Sequence, residues 1–441
     1  MGPRWLDAAA APSLAGLDAL ADACGAPTYA PAFVAALAAG LEPGAEGPCP
    51  YGWVVLGDAA RPRAAAPAFV TTEVPLDRLA PASRLRLLAG AARRLPRALR
   101  RSLVLGTHLT DEGSALALGP RDLDDLVAAG ERVARSAGAL TVFWKDVPAG
   151  SALEARLAAR GYAPFCTLPT ARVDLRPFRT LDEYLGWVGG EASYGDLARK
   201  MRDAGYDTPG LREHAARLRA RGSRALLADR RAALAHARAR LERLGFRGAP
   251  LSFETRRRLD PAEARAAHAL YRHRLEAAHF RWEALTPAFF ERLGEVEGAT
   301  FSLARLGDAL VGFSASIVRR GLFVALRSGA DPALTKPLSL TLLLMLRDLE
   351  LALELGCHAL SLGPTSYPTK ARLGARFGPT SAMLRLLGPL APLSPLLARA
   401  VDREHRALGI HRLHQSTHLE AWAPKAPPRR HPRPHPTSPT P

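Results

Sequence analysis

The same order of strand and helix patterns occurs twice along this chain of 441 residues. In the first half, "YGWVVLGD" and "AAAPAFVTTEV" predict a strand pair, followed by a helix at 81–95 and the strand "RSLVLGTH". A helix opened by Pro120 and closed by Gly138 comes next, before further strand patterns and a short helix. Alternation of this kind predicts a mixed α/β sheet.

The second half repeats this order. "LSFETRRRL" predicts a strand, helices are predicted at 261–278 and 286–297, and a three-stranded meander covers 300–331. A long helix at 337–355, the strand "HALSLGP" and a short helix complete the repeat. We infer a structural duplication from the shared pattern.

The predicted fold class is therefore α/β (α+β), with two tandem mixed sheets flanked by helices and a helical insertion between them. The predicted divisions are a first half at 1–175, an Arg-rich helical connection at 176–250, a second half at 251–420 and a tail at 421–441. The Pro-, Arg- and His-rich tail has too few apolar residues to form a core, so we expect it to be disordered.

Positive charge favours an anionic partner. Lys and Arg total 60 against 42 Asp and Glu, which gives a formal net charge of +18. The tail contributes part of this excess, and the helical pattern at 223–245 carries a face that is almost entirely arginine. Such a face is either solvated or lines an anion groove. We expect an anionic ligand in preference to a nucleic-acid duplex.

Several classes of protein are disfavoured. The four cysteines are far apart and form no C-x-x-C pair, which argues against zinc or a disulfide framework and favours a cytoplasmic setting. Acidic residues interrupt the apolar N-terminus, so we expect no secretion signal. The apolar stretch 337–355 contains four charges and predicts a buried helix, whereas 386–401 holds three prolines and could at most touch a membrane surface.

Histidine spacing predicts no metal site. His268, His273 and His279 do not share one helical face. A second group does share a face, at His411, His414 and His418, but it has no neighbouring cysteine and leads into the tail, so we interpret it as solvated.

Lysine is scarce, with five residues against 55 arginines. One of the five, Lys370, lies in "SLGPTSYPTKARLGARFGP" at 361–379. An ammonium group offers three rotatable donors and a titratable charge, which a guanidinium does not. Lys370 is therefore either an ordinary surface lysine or a residue with a specific role.

Three stretches give this chain a family resemblance. "TLDEYLGWVGG" with the Arg-rich helix, the meander, and the segment from "PLSLTLLLMLRDLELALEL" through "SYPTKARLGARFG" resemble the GCN5-related (GNAT) acyltransferase fold, in its tandem FemABX-like form. The resemblance covers roughly residues 50–410. It implies transfer of an acyl or aminoacyl group to a small-molecule or peptide amine that is itself anionic, and a monomer could suffice.

The resemblance also implies the site residues. Lys370 would stabilise charge in the substrate groove, next to Tyr367, which relays a proton or is a packed aromatic. Arg327 and Ser328 would contact substrate where the central strands separate, although Arg327 could equally form a structural ion pair. The further substrate-binding candidates are Arg281, Arg372 and Gly374.

The acyl donor remains open between acetyl-CoA and aminoacyl-tRNA. Acetyl-CoA enzymes of this fold hold the pyrophosphate on a Gly-rich turn, but here "ADPALTKPLSLTLL" follows Gly329 without a further glycine. Lys336 and the backbone amides near Ser339 are the predicted cofactor-binding groups. The alternative is a catalytically idle duplication that binds RNA, an anionic lipid or an anionic precursor.

Overall fold

The computed structural model describes residues 4–10, 15–43, 49–58, 60–72, 100–109, 115–188, 239, 242–243, 251–277 and 283–407. Several predictions lie outside these residues: the helix at 81–95, most of the Arg-rich connection, Arg281, and the tail. The side chain of Lys336 is also outside the described part.

Strands from the first part of the chain build most of one mixed sheet. Its strand order is β1-β2-β3-β4-β6-β15-β7, and β5 pairs with β3. Only β4 and β6 run parallel among these described strands. The strands are β1 Arg4–Asp7, β2 Tyr51–Gly57, β3 Pro62–Thr71, β4 Ser102–Leu105, β5 Leu116–Ala117, β6 Thr141–Pro148, β7 Ala163–Cys166 and β15 Thr380–Leu386.

Strands from the second part build most of the other sheet, with the order β14-β8-β13-β12-β11-β10-β9. Here β12 and β13 form the parallel pair in the described part of the chain. The strands are β8 Thr170–Asp174, β9 Leu251–Arg256, β10 Ala299–Leu306, β11 Ala309–Arg319, β12 Leu322–Ala330, β13 Ala359–Gly363 and β14 Arg376–Gly378. The two sheets confirm the predicted fold class.

Each half contributes one strand to the sheet of the other half. β8, which lies before the predicted boundary at 175, pairs with β13 and β14 of the second sheet. β15 lies within the predicted second half and pairs with β6 and β7 of the first sheet. The predicted domain divisions remain predictions. Residue 175 does not mark a boundary between the strands of the two hydrogen-bonded sheets.

Helices pack against the strands of these sheets. The bounds are α1 Ala15–Ala23, α2 Pro31–Gly40, α3 Pro120–Ser136, α4 Ala152–Ala159, α5 Pro261–Ala277, α6 Pro287–Leu293, α7 Pro332–Leu338, α8 Leu340–Glu354, α9 Tyr367–Arg372 and α10 Ser394–Ala407. None of the described helices is long and apolar enough to cross a membrane.

Side-chain alternation along β11 assigns helices to the two faces of the second sheet. Phe313 packs edge-on against Phe290 of α6, with ring centroids 5.4 Å apart. The next residue, Ser314, points to the opposite face and hydrogen-bonds to Asp348 of α8. The helices α5 and α6 therefore lie on one face of this sheet and α8 lies on the other.

The predicted long helix at 337–355 is observed as α8, and the short helix α7 comes directly before it. They meet at Ser339, which adopts a left-handed backbone conformation with φ of 54°. A non-glycine residue in this conformation cannot continue a right-handed helix. The Ser339 carbonyl then accepts a hydrogen bond from the Leu343 amide at 3.1 Å, which begins α8.

Candidate active site

The parallel strands β12 and β13 separate partway along their length. They pair from Leu322 opposite Ala359 to Val324 opposite Ser361, and not beyond. A bulge on β12 marks the separation, because Ala325 pairs with Ser316 and Arg327 with Ala315, which leaves Leu326 as an extra residue. A cavity of about 210 Å³ occupies this region.

Groups from both faces of the sheet reach this cavity because no strand closes the gap. The helices α5 and α8 contribute side chains from opposite faces, and three predicted site residues, Arg327, Ser328 and Lys370, are part of the lining. The other ionisable groups in the lining are Tyr271, Arg274, Glu283 and Asp348.

The Lys370 ammonium group is bound to the backbone that follows β13. Its Nζ donates hydrogen bonds to the carbonyl oxygens of Leu362 at 2.6 Å, Gly363 at 2.7 Å and Pro364 at 2.7 Å. Lys370 is only 2% exposed. Three convergent acceptors match the three donors of an ammonium group, whereas the planar guanidinium of arginine does not match them. Through this geometry Lys370 holds the backbone at Leu362, Gly363 and Pro364, which forms part of the cavity wall.

The turn held by Lys370 contains strained backbone. Thr365 and Ser366 both have positive φ, at 72° and 52°. Such conformations persist only where the surroundings stabilise them. Tyr367 supplies a second tie, since its hydroxyl donates to the carbonyl of Pro169 at 2.9 Å. Tyr367 thus connects this turn to the segment that enters β8, and it is not among the cavity-lining residues.

Arg327 forms an ion pair with Glu283 at the cavity. Its Nε lies 2.6 Å from Glu283 Oε1, and one terminal nitrogen also contacts this oxygen. The other terminal nitrogen donates to the carbonyl of Leu326 at 2.7 Å, next to the bulge. The structural ion pair that was one alternative for Arg327 is present, and its role in substrate contact stays a prediction.

Arg274 is a second guanidinium at the cavity, on α5. One terminal nitrogen donates to the Ser328 carbonyl at 3.3 Å and also contacts the Ser328 hydroxyl. Within the described part of the chain, Arg274 has no acidic partner. The residue as a whole is exposed to solvent. Among the described residues, Arg274 is thus a cation without a carboxylate partner.

Asp348 is a buried carboxyl group in the same cavity. Only 2% of the residue is exposed. Its two oxygens accept hydrogen bonds from Ser314 at 2.6 Å and Ser302 at 3.2 Å. Burial raises the pKa of Asp348 to about 7, and the two serine donors act in the opposite direction but do not cancel it. At neutral pH this group can take up or release a proton.

The remaining predicted residues lie elsewhere. Gly374 has a φ of 77° and closely approaches the Trp187 ring, so it shapes the end of α9. Arg372 is exposed on α9 and is not part of the cavity lining. Ser339 precedes Asp348 by nine residues, which is roughly 13 Å along the axis of α8.

Sequence reasoning missed Arg274, Glu283 and Asp348. The signal for Asp348 was available, because it follows Leu340 and Leu344 at intervals of four on the buried face of the most apolar helix. A carboxylate on such a face is costly unless it has a function or a partner. No equivalent signal identified Arg274, which is one of many arginines in the sequence.

No group of three or more His, Cys, Asp or Glu side chains in the described ranges could hold a metal ion. His268 Nε2 contacts the Leu285 carbonyl at 2.9 Å, and His279 lies outside the described residues.

Residues 228–371 match the protein family described as "Acetyltransferase (GNAT) domain". This segment is therefore similar to the GNAT acetyltransferase domain. The match includes β9 to β13, and thus the separated strands, the cavity and Lys370. The predicted GNAT resemblance is confirmed, and the coarse activity class is acyl transfer.

Solved structures include similar folds, at low identity. FemX has 10% identity, covering 79% of this chain and 90% of that one with a TM-score of 0.47. A tandem GNAT protein from the clavulanic acid biosynthesis pathway has 14% identity, coverage of 88% and 98%, and a TM-score of 0.43. The C-terminal domain of a putative lysylphosphatidylglycerol synthetase from Agrobacterium fabrum has 14% identity, coverage of 68% and 82%, and a TM-score of 0.36. No curated protein matches the chain.

Proposed function

We propose that the GNAT domain transfers an acyl group from an acyl-CoA thioester to the amine of an anionic acceptor, in the cavity between β12 and β13. The observation that carries this proposal is Asp348, a buried carboxyl group with a pKa of about 7 inside that cavity. A general base is most effective when its pKa lies near the operating pH.

In the proposed reaction, the acceptor amine attacks the thioester carbonyl. A carbon–nitrogen bond forms, the carbon–sulfur bond breaks, and CoA leaves as a thiolate. The amine loses one proton to Asp348, directly or through a water molecule. That proton then passes through solvent to the CoA thiolate, which leaves Asp348 ionised again. Asp348 thus serves as the proton acceptor, while Ser302 and Ser314 hold its carboxylate towards the cavity.

We assign Lys370 a positioning role in this reaction. Its ammonium group already donates to three carbonyls, at Leu362, Gly363 and Pro364, which form one wall of the cavity. A fixed wall keeps the reacting groups aligned, and small displacements of such groups reduce rates strongly.

The anionic character of the acceptor is supported by Arg274. A guanidinium without a carboxylate partner among the described residues, at the cavity, suits a carboxylate or phosphate on the substrate. Arg327 is less suited to this role because Glu283 already pairs with it. We therefore place the acceptor's anionic group at Arg274 and its amine towards Asp348.

The family match supports acyl-CoA as the acyl donor, and it offers no corresponding support for aminoacyl-tRNA. The phosphates of the donor would bind at the start of α8, near the predicted residues Lys336 and Ser339. A cytoplasmic setting, where acyl-CoA thioesters are available, belongs to the same proposal.

The test is turnover of acetyl-CoA, followed by release of the CoA thiol, with a panel of amines that carry a carboxylate or phosphate. We expect Asp348→Asn to lower kcat by about 10²–10⁴-fold, the range of a lost general base. The matched control is Asp308→Asn, at an exposed turn of the same domain. Normal turnover in the D348N variant would refute the assignment. Binding of acetyl-CoA without any turnover in the wild type would favour the binding-only alternative.

A further inference from the structure

The turn between β15 and α10 exposes an apolar surface. Residues 388–396 carry no charge, and seven of them are exposed. Three leucines dominate this surface: Leu390 is 43% exposed, Leu393 47% and Leu396 60%. The other exposed residues are Gly388, Pro389, Pro392 and Pro395. We name the surface formed by these seven residues the apolar turn. Contiguous exposed apolar residues of this kind mark interaction sites.

The apolar turn has a fixed shape. Residues Gly388–Leu393 form a 3₁₀ helix, and the three prolines of the segment 388–396 restrict the backbone further. Ser394 closes the turn, because its hydroxyl donates to the Ala391 carbonyl at 2.7 Å and accepts from the Leu386 amide at 2.9 Å. The leucines are therefore held outward and cannot fold back onto the protein without breaking these contacts.

Positive charge continues from the apolar turn along α10. The buried face of this helix contains Ala398, Val401 and His405. The exposed residues Leu396, Arg399, Arg403 and Arg406 follow at intervals of three and four, so they form one stripe.

The first two arginines of this stripe are not neutralised. In the described part of the chain, Arg399 and Arg403 have no acidic partner, whereas Arg406 pairs with Asp402 at 3.1 Å. Asp402 is also engaged by the amide of Cys166. The two free guanidinium groups therefore lie next to the exposed leucines.

We propose that the apolar turn, with Arg399 and Arg403, docks the protein on the surface of an anionic lipid bilayer. Leucines that enter the boundary between headgroups and acyl chains leave water, and adjacent arginines are attracted to anionic headgroups. The formal charge of +18 acts in the same direction at longer range. This proposal does not depend on the proposed acyl transfer.

The size of the surface favours a bilayer over a protein partner. A stable protein interface uses about 20–30 residues on each side. The apolar turn has seven exposed residues, after which the helix surface becomes basic. A bilayer does not require a matching surface of that extent, because a short wedge of apolar side chains can insert among the headgroups.

The test is flotation of the full-length protein with vesicles of neutral phosphatidylcholine and with vesicles that also contain phosphatidylglycerol, whose headgroup is anionic. We expect binding to the anionic vesicles. The double variant Leu393→Asn with Leu396→Asn should lower the partition coefficient at least about tenfold, since both leucines would no longer enter the boundary region. Arg399→Glu with Arg403→Glu should lower it by a similar factor on anionic vesicles only.

The matched control is Leu118→Asn with Leu355→Asn, which removes two leucines that are 68% and 54% exposed elsewhere. This control should bind vesicles as the wild type does. Vesicle binding that is unchanged in the L393N/L396N variant would overturn the proposal, because the tail and other basic segments would then account for it. Absence of vesicle binding by the wild type would also overturn the proposal. So would a wild-type protein that does not bind vesicles but self-associates, if the L393N/L396N variant abolishes that self-association.

Discussion

Replacing Lys370 by methionine should destabilise the protein far more than the loss of one surface charge. The methionine retains an apolar chain of similar length but leaves the carbonyls of Leu362, Gly363 and Pro364 without their shared donor. Each buried polar group left without a partner costs about 1–3 kcal/mol. Carbonyls tolerate under-satisfaction better than amides do, so we expect a total loss of about 3–5 kcal/mol in the free energy of unfolding.

The assay is chemical denaturation, followed by the fluorescence of the chain's tryptophans, for wild type and three variants. Lys370→Arg should also lose stability, because a planar guanidinium cannot meet three convergent carbonyls. The control Arg372→Met changes an exposed residue of the same helix and should alter stability by less than about 0.5 kcal/mol. A K370M variant of normal stability with abolished turnover would refute the positioning role and restore the predicted direct contact with substrate.

Four other predictions concern the cavity and the exchanged strands. The rate constant kcat/KM should rise with pH through about 7 as Asp348 loses its proton, and this limb should be absent in the D348N variant. Because the folded-state pKa of Asp348 is raised, its contribution to stability is present below pH 4 and is lost as the pH rises towards 7; denaturation of D348N should therefore depend less on pH in that window. Arg274→Gln should raise KM about tenfold or more for an anionic acceptor and leave KM unchanged for the neutral amide of the same acceptor. The control Arg272→Gln, on the same helix at a residue paired with Glu42, should change KM for neither acceptor. An equal rise in KM for both acceptors in the Arg274 variant would contradict the anion contact. A fragment of residues 251–407 should show no cooperative unfolding transition by circular dichroism, because it lacks β8 between β13 and β14 and leaves β15 without its partners; a cooperative transition in that fragment would show that the exchange is dispensable.

Local sequence predicted the elements of the second half closely. The alternating strands, the turn between β10 and β11, and the helices α5 and α9 follow from periodicity, glycine and proline positions. The long helix α8 begins at Leu340, three residues later than predicted, because the left-handed residue before it is Ser339 and not glycine, the usual signal for that conformation. Two of the three stretches that carried the family resemblance, the meander and the segment from α8 onward, lie largely within residues 228–371 of the family match.

The site was predicted in position more than in chemistry. Arg327 and Ser328 were selected near the end of β12, where the central strands separate, and Lys370 from the scarcity of lysine and the family resemblance; all three line the cavity. Their partners could not be read from spacing. Glu283 and Arg274 are both more than forty residues from Arg327 or Ser328 in the sequence. Only packing shows that, among the described residues, Glu283 pairs with Arg327 while Arg274 contacts Ser328.

The sequence by itself determined the duplication of elements, the separation of apolar and polar faces, and the scarcity of lysine, because these are properties of residue order and composition. Only the tertiary structure decided that β8 and β15 exchange sheets, that the Lys370 ammonium holds three carbonyls, and that Asp348 is enclosed with a raised pKa. The physical reason is the same in each case. Strand pairing, hydrogen bonding and desolvation depend on which distant residues come into contact, and nothing in a local pattern specifies those contacts.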